Sequence, residues 1–281
     1  MEILIKNINE FVKCIPTATG TEWEILLPYV ETAQMDLTIN LLGTDLNTAL
    51  IALQETEGTR IIANKLLAVS AYHAAIPFVD LQQTPNGFAV VSNNNLAPAS
   101  KERVERLITW CEMQIDGLID LLIKSVMGNA DLLQKWTLFP QFKDIVNCLF
   151  VTGQDFAGFT NSKEKLRRDE LLRNKAQLLI WQENIISPVI SKAYFDQIIA
   201  EIRTQTFTPG TGNVIHYCKM VLAALVLGSN TQADNLLSKI SNLLDANLST
   251  YSTYAASDEY TLKITPRDMN KADHPTFFMG I

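Results

Sequence analysis

The stretch SKERVERLITWCEMQIDGLIDLLIKSV, residues 100–126, decides the fold class. Its apolar residues recur at spacings of three and four, which is the period of an amphipathic α-helix. Ser100 is a good N-cap, because its hydroxyl can accept a hydrogen bond from a backbone N–H of the first turn. The apolar stripe consists of Val104, Leu107, Ile108, Cys111, Ile115, Leu118, Leu122 and Val126. A long helix with one apolar side predicts a mainly α-helical protein, a helical bundle that buries this side in its core.

The residues before this helix predict three more helices, which complete an N-terminal helical half over residues 1–127. The helices begin at turn or capping residues, namely Thr21, Thr44 and Gly58, and Pro77 ends the third one. We expect the core face of the first helix to consist of Ile25, Leu26, Tyr29, Ala33, Leu37 and Leu41.

Two segments of this half lack the helical period. Met1–Cys14 alternates apolar and polar residues, which predicts a short strand or an extended arm. The insert at 81–99 contains a turn signal, Thr84–Gly87, followed by a strand, Phe88–Ser92. We therefore predict a short β-hairpin-like insert in the N-terminal half.

The remainder divides into a connector at 128–162, a C-terminal helical half at 163–255 and a tail at 256–281. The connector is rich in aromatic residues and predicts one short helix, Gln141–Phe150. In the C-terminal half the pattern predicts four helices. The first is Lys163–Ile186, the third runs from about Asn213 to Leu227, and the fourth is Asn230–Tyr254. The second is capped by Ser191, and its apolar face consists of Tyr194, Phe195, Ile198, Ile199 and Ile202. The tail has no helical period and contains two prolines, which predicts an extended segment.

The two halves resemble each other at an offset of 148 residues. This offset aligns Leu42–Ile51 with Ile190–Ile199, and the apolar positions of the two segments coincide. The similarity indicates either a duplication of one four-helix unit or two unrelated helical patterns. The insert has no counterpart in the second half, so we expect a task specific to one half to reside there.

The formal net charge of −7 gives the whole chain no electrostatic attraction to nucleic acid. Four bases and ten acids in residues 1–100 give this part −6. The one basic cluster consists of Lys163, Lys165, Arg167, Arg168, Arg173 and Lys175, with acids interspersed. Mixed signs of this kind are typical of a solvated helix face, and a site for nucleic acid or an acidic partner is the alternative. No apolar run approaches the roughly 20 residues of a membrane span.

The sequence predicts no catalytic residue, no cofactor-binding residue and no metal site. The four cysteines lie far apart, which favours free buried thiols over a zinc or redox site. His73 and His216 fit core or interface positions better than catalytic ones, and the four tryptophans are expected in the core. The Gly-rich segment Thr208–Gly212 fits an interhelical turn, or else an anion site at a helix N-terminus. A catalytic site assembled from distant carboxylates would leave no motif.

Candidate partner-binding residues lie in the insert and in the tail. They are Pro85, Asn86, Gly87, Phe88 and Val90, and Phe277, Phe278 and Met279. Adjacent apolar residues on a polar, extended segment are typical of a chain that docks on another surface. The tail docks either on a partner or back on its own domain.

Three stretches carry a family resemblance: DLQQTPNGFAVVSNNNLAPAS (80–100) and KERVERL (101–107), which lie within roughly residues 71–110, and the ending FFMG (277–280). They resemble an uncharacterised family that is encoded in phages and prophages of Bacteroides-type gut bacteria. The resemblance implies a virion component, a head–tail connector (adaptor or neck) protein that forms a homo-oligomeric ring and binds portal and tail or neck proteins. It implies no functional residue of its own.

Residue patterns and resemblance together predict a non-enzymatic structural protein of a bacteriophage. We expect it in the virion, after synthesis in the host cytoplasm, with passive contact to DNA in the channel and no membrane partner. The alternative is a non-enzymatic helical binding or regulatory module.

Overall fold

The computed structural model describes residues 3–15, 22–79, 81–84, 87–90 and 100–265, and the fold is mainly α-helical, as predicted. The N-terminal helices are α1 (Ile8–Cys14), α2 (Trp23–Leu37), α3 (Gly43–Ala52), α4 (Gly58–Ala75) and α5 (Lys101–Met127). They are followed by α6 (Ala130–Thr137), α7 (Phe142–Ile145), α8 (Gly153–Thr160) and α9 (Arg167–Trp181). The last helices are α10 (Ser187–Ile190), α11 (Lys192–Thr204), α12 (Thr211–Val226), α13 (Asn230–Ala246), α14 (Ser252–Ala255) and α15 (Asp258–Ile264). Within these described ranges no helix is long and apolar enough to cross a membrane.

The chain forms two compact units. The first contains Met1–Leu179 together with Ile202–Thr206, and the second contains Ile180–Glu201 together with Phe207–Ile281. The aromatic-rich residues 128–162 therefore lie within the first unit, where they form α6, α7 and α8 instead of the one short helix expected there.

Helix α4 is the centre of the first unit. It packs against both α2 and α5, and eight of its 18 residues are buried. Four of them are alanines, which allow the neighbouring helix axes to approach closely: Ala63, Ala68, Ala71 and Ala75. Leu66, Leu67 and Val69 fill the remaining core space around α4. Because α4 occupies the middle, α2 and α5 each retain an outer side.

The N-terminal segment is helical from Ile8 to Cys14, so the predicted strand or arm is wrong for these residues. A local cap overrides the alternating pattern, because the Asn7 side chain accepts a hydrogen bond from the Glu10 N–H at 3.1 Å. In return, the Glu10 carboxylate accepts from the Lys6 N–H at 2.9 Å. Such a reciprocal cap satisfies N–H groups that a helix start leaves without partners.

Leu4, which precedes α1, is fixed in the core by two buried polar side chains. The Leu4 N–H donates to Gln34 Oε1 at 2.7 Å, and the Leu4 carbonyl accepts from Arg60 Nη2 at 2.7 Å. Arg60 also donates to the Leu50 carbonyl at 2.8 Å. Buried polar groups are stable only when they are hydrogen-bonded, so this arrangement ties the N-terminal segment into the first unit.

The insert contains two short strands, β1 (Leu81–Thr84) and β2 (Gly87–Val90). They pair antiparallel, with Leu81 opposite Val90 and Thr84 opposite Gly87. In the second unit, by contrast, residues 227–229 alone join α12 to α13, so the insert has no counterpart there.

Matching backbone features support the repeat at an offset of 148. Gly43 and Ser191 both have φ of 72° and stand directly after a buried apolar residue, Leu42 and Ile190 respectively. A π-helical turn precedes each, ending directly before Gly43 at Thr38–Leu42 and five residues before Ser191 at Gln182–Ile186. A positive φ is unusual for serine. The same φ at the aligned positions Gly43 and Ser191 favours a duplicated unit.

In the second unit, α12 packs against α13, and both helices contribute buried apolar residues. The predicted apolar face of α11 is confirmed, since Tyr194, Phe195, Ile198, Ile199 and Ile202 are all buried. The predicted last helix ends earlier, at Ala246.

The predicted extended tail is wrong for residues 258–264, which form α15. The Ser257 side chain caps this helix by accepting from the Tyr260 N–H at 3.2 Å, and Asp258 and Glu259 favour its N-terminus. The tail beyond residue 265 lies outside the described part of the chain.

The segment Thr208–Gly212 forms the turn that enters α12. Gly210 adopts φ of 87°, and a Cβ there would approach the Tyr251 hydroxyl to 2.9 Å. The Glu201 carboxylate accepts from the Thr208 N–H at 3.2 Å and from its hydroxyl at 2.8 Å, and the Thr208 hydroxyl pairs with that of Thr211. The segment is therefore an interhelical turn held by a carboxylate of this chain.

Glu201 should make the stability of the protein depend on pH in the acid range. Burial acts to raise the pKa of this carboxyl, but hydrogen bonds from Gln197, Thr208 and Thr211 together lower the pKa below its ordinary value. The stabilisation is therefore present above the unfolded-state pKa and is lost as the pH falls through the folded-state pKa. Glu201→Gln should lower the free energy of unfolding at neutral pH and lose part of the acid dependence, as measured by urea unfolding across a pH series. An acid dependence identical to that of the wild type would contradict this role.

Candidate interaction surfaces

The outer side of α2 carries an exposed row of residues that continues into the π-helical turn. We call it the α2 stripe, and it consists of Ile25, Pro28, Thr32, Met35 and Ile39. The spacings alternate between three and four, which is the spacing of a coiled-coil seam. Ile25, Met35 and Ile39 are 46%, 52% and 58% exposed, although apolar side chains of this size favour burial.

Acidic residues border this stripe. Glu24 and Glu31 are exposed and precede Ile25 and Thr32 by one residue each, which places both glutamates along the same edge of the seam. On the other edge, Tyr29 stacks on Phe78, with ring centroids 6.3 Å apart and an interplanar angle of 19°. The outer side of α2 therefore combines apolar contact area with negative charge.

The outer side of α5 carries a second exposed row, at spacings of three and four. We call it the α5 stripe, and it consists of Arg103, Arg106, Trp110, Met113, Gly117, Leu121 and Lys124. The middle of the row is apolar, with Trp110, Met113 and Leu121 exposed to 40%, 36% and 52%. Bases stand at both ends. A Cβ at Gly117 would meet no atom within 4 Å, so the middle of the row is open.

Two carboxylates beside the α5 stripe, Asp116 and Asp120, fix two other helices by their N-termini. Asp116 accepts from the N–H groups of Arg168 and Asp169, at 3.1 and 3.0 Å. Asp120, one turn later, accepts from the Gln154 N–H at 2.9 Å. Carboxylates at these positions satisfy N–H groups that the starts of α9 and α8 would otherwise leave without partners, and they complement the positive ends of both helices.

Asp120 also forms a buried ion pair. Its second oxygen lies 3.2 Å from Arg168 Nη1, and the two side chains are only 8% and 12% exposed. Burial raises the pKa of Asp120, while the Gln154 N–H and the Arg168 guanidinium oppose this rise. The cost of burying the carboxylate is thus offset by its two partners, and α5, α8 and α9 are held together at one point.

This geometry corrects the expectation of a solvated basic face. Arg168 is in the buried ion pair, and Lys175 Nζ donates to the carbonyls of Asp144 and Ile145 at 2.6 and 3.2 Å. Burial lowers the pKa of Lys175. Arg173 pairs with Asp169 one turn away on α9. Two bases of the cluster thus have structural roles, while Lys163, Lys165 and Arg167 remain exposed.

A groove of about 550 Å³ adjoins the α5 stripe. Thr109, Glu112 and Met113 form one wall, and residues 162–166 with Glu170 form the other. Its lining mixes both signs of charge, and Met113 belongs to both the groove and the α5 stripe. The groove therefore opens beside the middle of the α5 stripe.

The remaining sequence candidates lie apart from these surfaces or differ from expectation. His73 lies on α4 with its Nε2 atom 3.9 Å from Glu112 Oε1, whereas His216 is exposed on α12 instead of lying in a core. Cys111, Cys148 and Cys218 are buried and Cys14 is half-buried, and no disulfide joins any two of these four described residues. Trp136 is buried, but the expected core position of Trp110 is wrong. Among the described residues no group of three or more metal-ligating side chains occurs.

The partner-binding residues chosen from the sequence stay predictions. Gly87, Phe88 and Val90 lie in β2, whereas Pro85 and Asn86 are outside the described residues. Phe277, Phe278 and Met279 also lie outside them.

Sequence reasoning missed the α2 stripe because Ile25 and Tyr29 were assigned to the core face together with Leu26. The structure buries Leu26, Leu37 and Leu41 and leaves Ile25 exposed. The available signal was a second apolar row on the same helix, more than a single core face requires.

Comparison with known proteins identifies a matching family without an assigned role. The model of a family of unknown function (DUF6712) matches residues 30–149, a range that contains the whole α5 stripe and the second half of the α2 stripe. No curated protein and no solved structure matches the chain.

Proposed function

We propose that this chain is a non-enzymatic structural subunit that assembles through the outer surfaces of its first unit. Following the resemblance described above, we further propose that it is a head–tail connector, an adaptor ring subunit that joins portal to tail in a bacteriophage virion. The observation that carries the proposal is the α5 stripe, an exposed row with Trp110, Met113 and Leu121 in its middle and bases at both ends.

The composition of this row favours a protein partner. Tryptophan, methionine and arginine are enriched in protein interfaces, and tryptophan and arginine often contribute most of the binding energy. A row of exposed large apolar side chains along one helix is also typical of an interaction site.

The supporting structure of α5 favours a surface that is formed before binding. Asp116 and Asp120 bind α9 and α8 from the edge of the same helix that presents Trp110 and Leu121. Contact residues that are already ordered lower the entropic cost of association. A low cost of association suits a ring subunit, because each copy packs against two neighbours.

The net charge of −7 suits a ring that surrounds DNA without retaining it. Like charges repel, so acidic residues that face a channel would reduce adhesion of DNA during its passage. Binding of DNA is therefore expected to be weak and insensitive to sequence.

The first test is the mass of the purified protein in solution, by light scattering over a wide concentration range. We expect an oligomer whose population rises with concentration. The variant Trp110→Asp should need at least a tenfold higher protein concentration to form the same fraction of oligomer. Leu138→Asp is the matched control, because Leu138 is an exposed apolar residue of the same unit outside both stripes. Equal shifts for both variants would contradict a specific role of the α5 stripe.

The connector role needs a second test, in particles. Purified virions of the encoding phage should contain the chain in a fixed ratio to the portal protein, by quantitative mass spectrometry, and cryo-electron microscopy should place it at the neck. Absence from particles combined with a strict monomer in solution would overturn the proposal in favour of a binding or regulatory module.

A further inference from the structure

We propose that α15 is a detachable latch, a helix that opens while the rest of the second unit stays folded. The inference goes beyond the proposed function and does not depend on it, because it rests on the contacts that α15 makes within its own unit. Opening moves the point at which the tail is attached from Thr265 back to Ser257.

Helix α15 has little apolar attachment to the unit. None of its residues, all of which the structure describes, is buried. Its large aliphatic side chains, Leu262 and Ile264, are 74% and 59% exposed. A helix of seven residues is also shorter than the roughly 12–15 residues at which an isolated helix becomes even marginally stable in water. The stability of α15 therefore has to come from the contacts that dock it.

At the end of α15, one lysine makes these contacts. Lys263 Nζ donates to Ser241 Oγ at 2.7 Å and to the Tyr254 hydroxyl at 3.3 Å, and it also pairs with Asp245. The side chains of Lys263 and Asp245 are 41% and 35% exposed, and ion pairs that are open to water contribute little to stability. The Tyr254 hydroxyl donates to Asp245 at 2.9 Å, so these two groups keep each other as partners when Lys263 leaves.

At the start of α15, a carboxylate and an aromatic ring make the contacts. The Glu259 carboxylate accepts from the Lys192 N–H at 3.0 Å. This hydrogen bond is exposed, so water can take the place of the carboxylate when the helix leaves. The Tyr260 ring is tilted by 54° against the Tyr254 ring, with centroids 5.2 Å apart, and it remains half-buried.

Open space beside the contact side of α15 explains why the helix buries so little. A groove of about 380 Å³ is lined by Glu259 and Lys263 of α15, Val189 of α10 and Leu237 of α13. Side chains that border such a space lose the dispersion contacts that close packing would supply. Helix α15 is thus held mainly by its polar contacts.

The first unit contains a similar aromatic pair in a buried form. Trp136 and Phe142 stand six residues apart, as Tyr254 and Tyr260 do, and their ring centroids lie 5.0 Å apart. Both rings of the first pair are buried, whereas residues 261–265, which follow the second pair, are all exposed. The second unit therefore ends in a weaker version of a contact that the first unit makes in its core.

The fold sets the point at which the latch opens. Ser257 is buried, and its hydroxyl donates to the Tyr254 carbonyl at 2.6 Å, so the chain stays fixed up to this residue. Residues 258–265 span up to about 25 Å when fully extended. An open latch therefore increases the reach of the candidate docking residues Phe277, Phe278 and Met279 by up to this length.

Native-state hydrogen exchange of the full-length protein, read by mass spectrometry, tests the latch. We expect the amides of α15 to exchange at least a hundredfold faster than those of α13, yet more slowly than in an unfolded peptide. Lys263→Met should accelerate exchange in α15 at least threefold and leave α13 unchanged. The matched control is Lys239→Met, which removes an exposed lysine of α13 and should change neither helix.

A second variant weakens α15 without touching its docking contacts. Leu262→Gly replaces a largely exposed side chain by the residue with the lower helix propensity. If α15 opens on its own, exchange should accelerate about fivefold in α15 alone, and the melting temperature of the protein should not change.

Three results would overturn the latch. The first is exchange in α15 as slow as in α13, which would mean that the two helices open together. The second is an equal acceleration of both helices by Lys263→Met or Leu262→Gly. The third is exchange in α15 at the rate of an unfolded peptide in the wild type and in every variant, which would mean that the helix is not docked.

Discussion

Gly153→Ala should lower the free energy of unfolding by about 3 kcal/mol or more, because the residue has no room for a side chain. A Cβ at this position would lie 2.3 Å from the carbonyl carbon of Arg167 and from the backbone nitrogen of Arg168. Backbone atoms cannot rotate away as a flexible side chain can. The first turn of α8 would therefore have to separate from the start of α9, which would also lengthen the hydrogen bonds at Asp116 and Asp120.

Urea or thermal unfolding, followed by circular dichroism, measures this effect. Gly158→Ala is the matched control, since Gly158 lies in the same helix and its Cβ would meet no atom within 4 Å. That substitution should stabilise the protein by up to about 1 kcal/mol, because alanine has the higher helix propensity. Similar melting temperatures for the two variants would contradict the close approach of the two helices.

Asp120→Ala should cost about 3–5 kcal/mol, the range found when one partner of a buried ion pair is removed. The substitution leaves the Arg168 guanidinium, only 12% exposed, without its carboxylate, and the Gln154 N–H loses its acceptor. Asp120→Asn retains one acceptor oxygen and should cost less than the alanine variant.

A double-mutant cycle separates the ion pair from the cap. The cycle consists of Asp120→Ala, Arg168→Leu and their combination, which removes both charges. The combination should lower the free energy of unfolding by much less than the sum of the two single losses. The loss of the Gln154 cap remains in the double variant. Strictly additive losses would show that the two side chains do not depend on each other.

The long helices were readable from the sequence because their period was sustained. Helix α5 begins one residue after the predicted cap Ser100, and α4 begins at Gly58 and ends before Pro77. The short helices were not readable in the same way. Helices α6 and α8 contain eight residues each, so their apolar spacing repeats too few times. Their caps, Asn129 and Thr152, were the available signals.

The candidate site was harder to predict, for two physical reasons. Periodicity shows which side chains share a side of α2 but not which of two apolar rows faces the core, so Ile25 was expected beside Leu26. In addition, nothing in the sequence distinguishes Asp116 and Asp120 from solvent-exposed acids on a helix. Their partners are 34–53 residues away in sequence, and only the folded chain brings them together.

The anchoring of α5 at Asp116 and Asp120 has a consequence for how quickly and how reversibly copies could associate. Since the backbone of the contact helix is already ordered, docking would freeze only side chains, at about 0.5–1.5 kcal/mol for each long one. Little of the binding energy would then be spent on folding, and encounter would proceed as a collision of rigid bodies. An incorrectly placed copy, which forms only part of the contact, would dissociate sooner than a correctly placed one, so errors in an unfinished ring would be corrected before the ring closes.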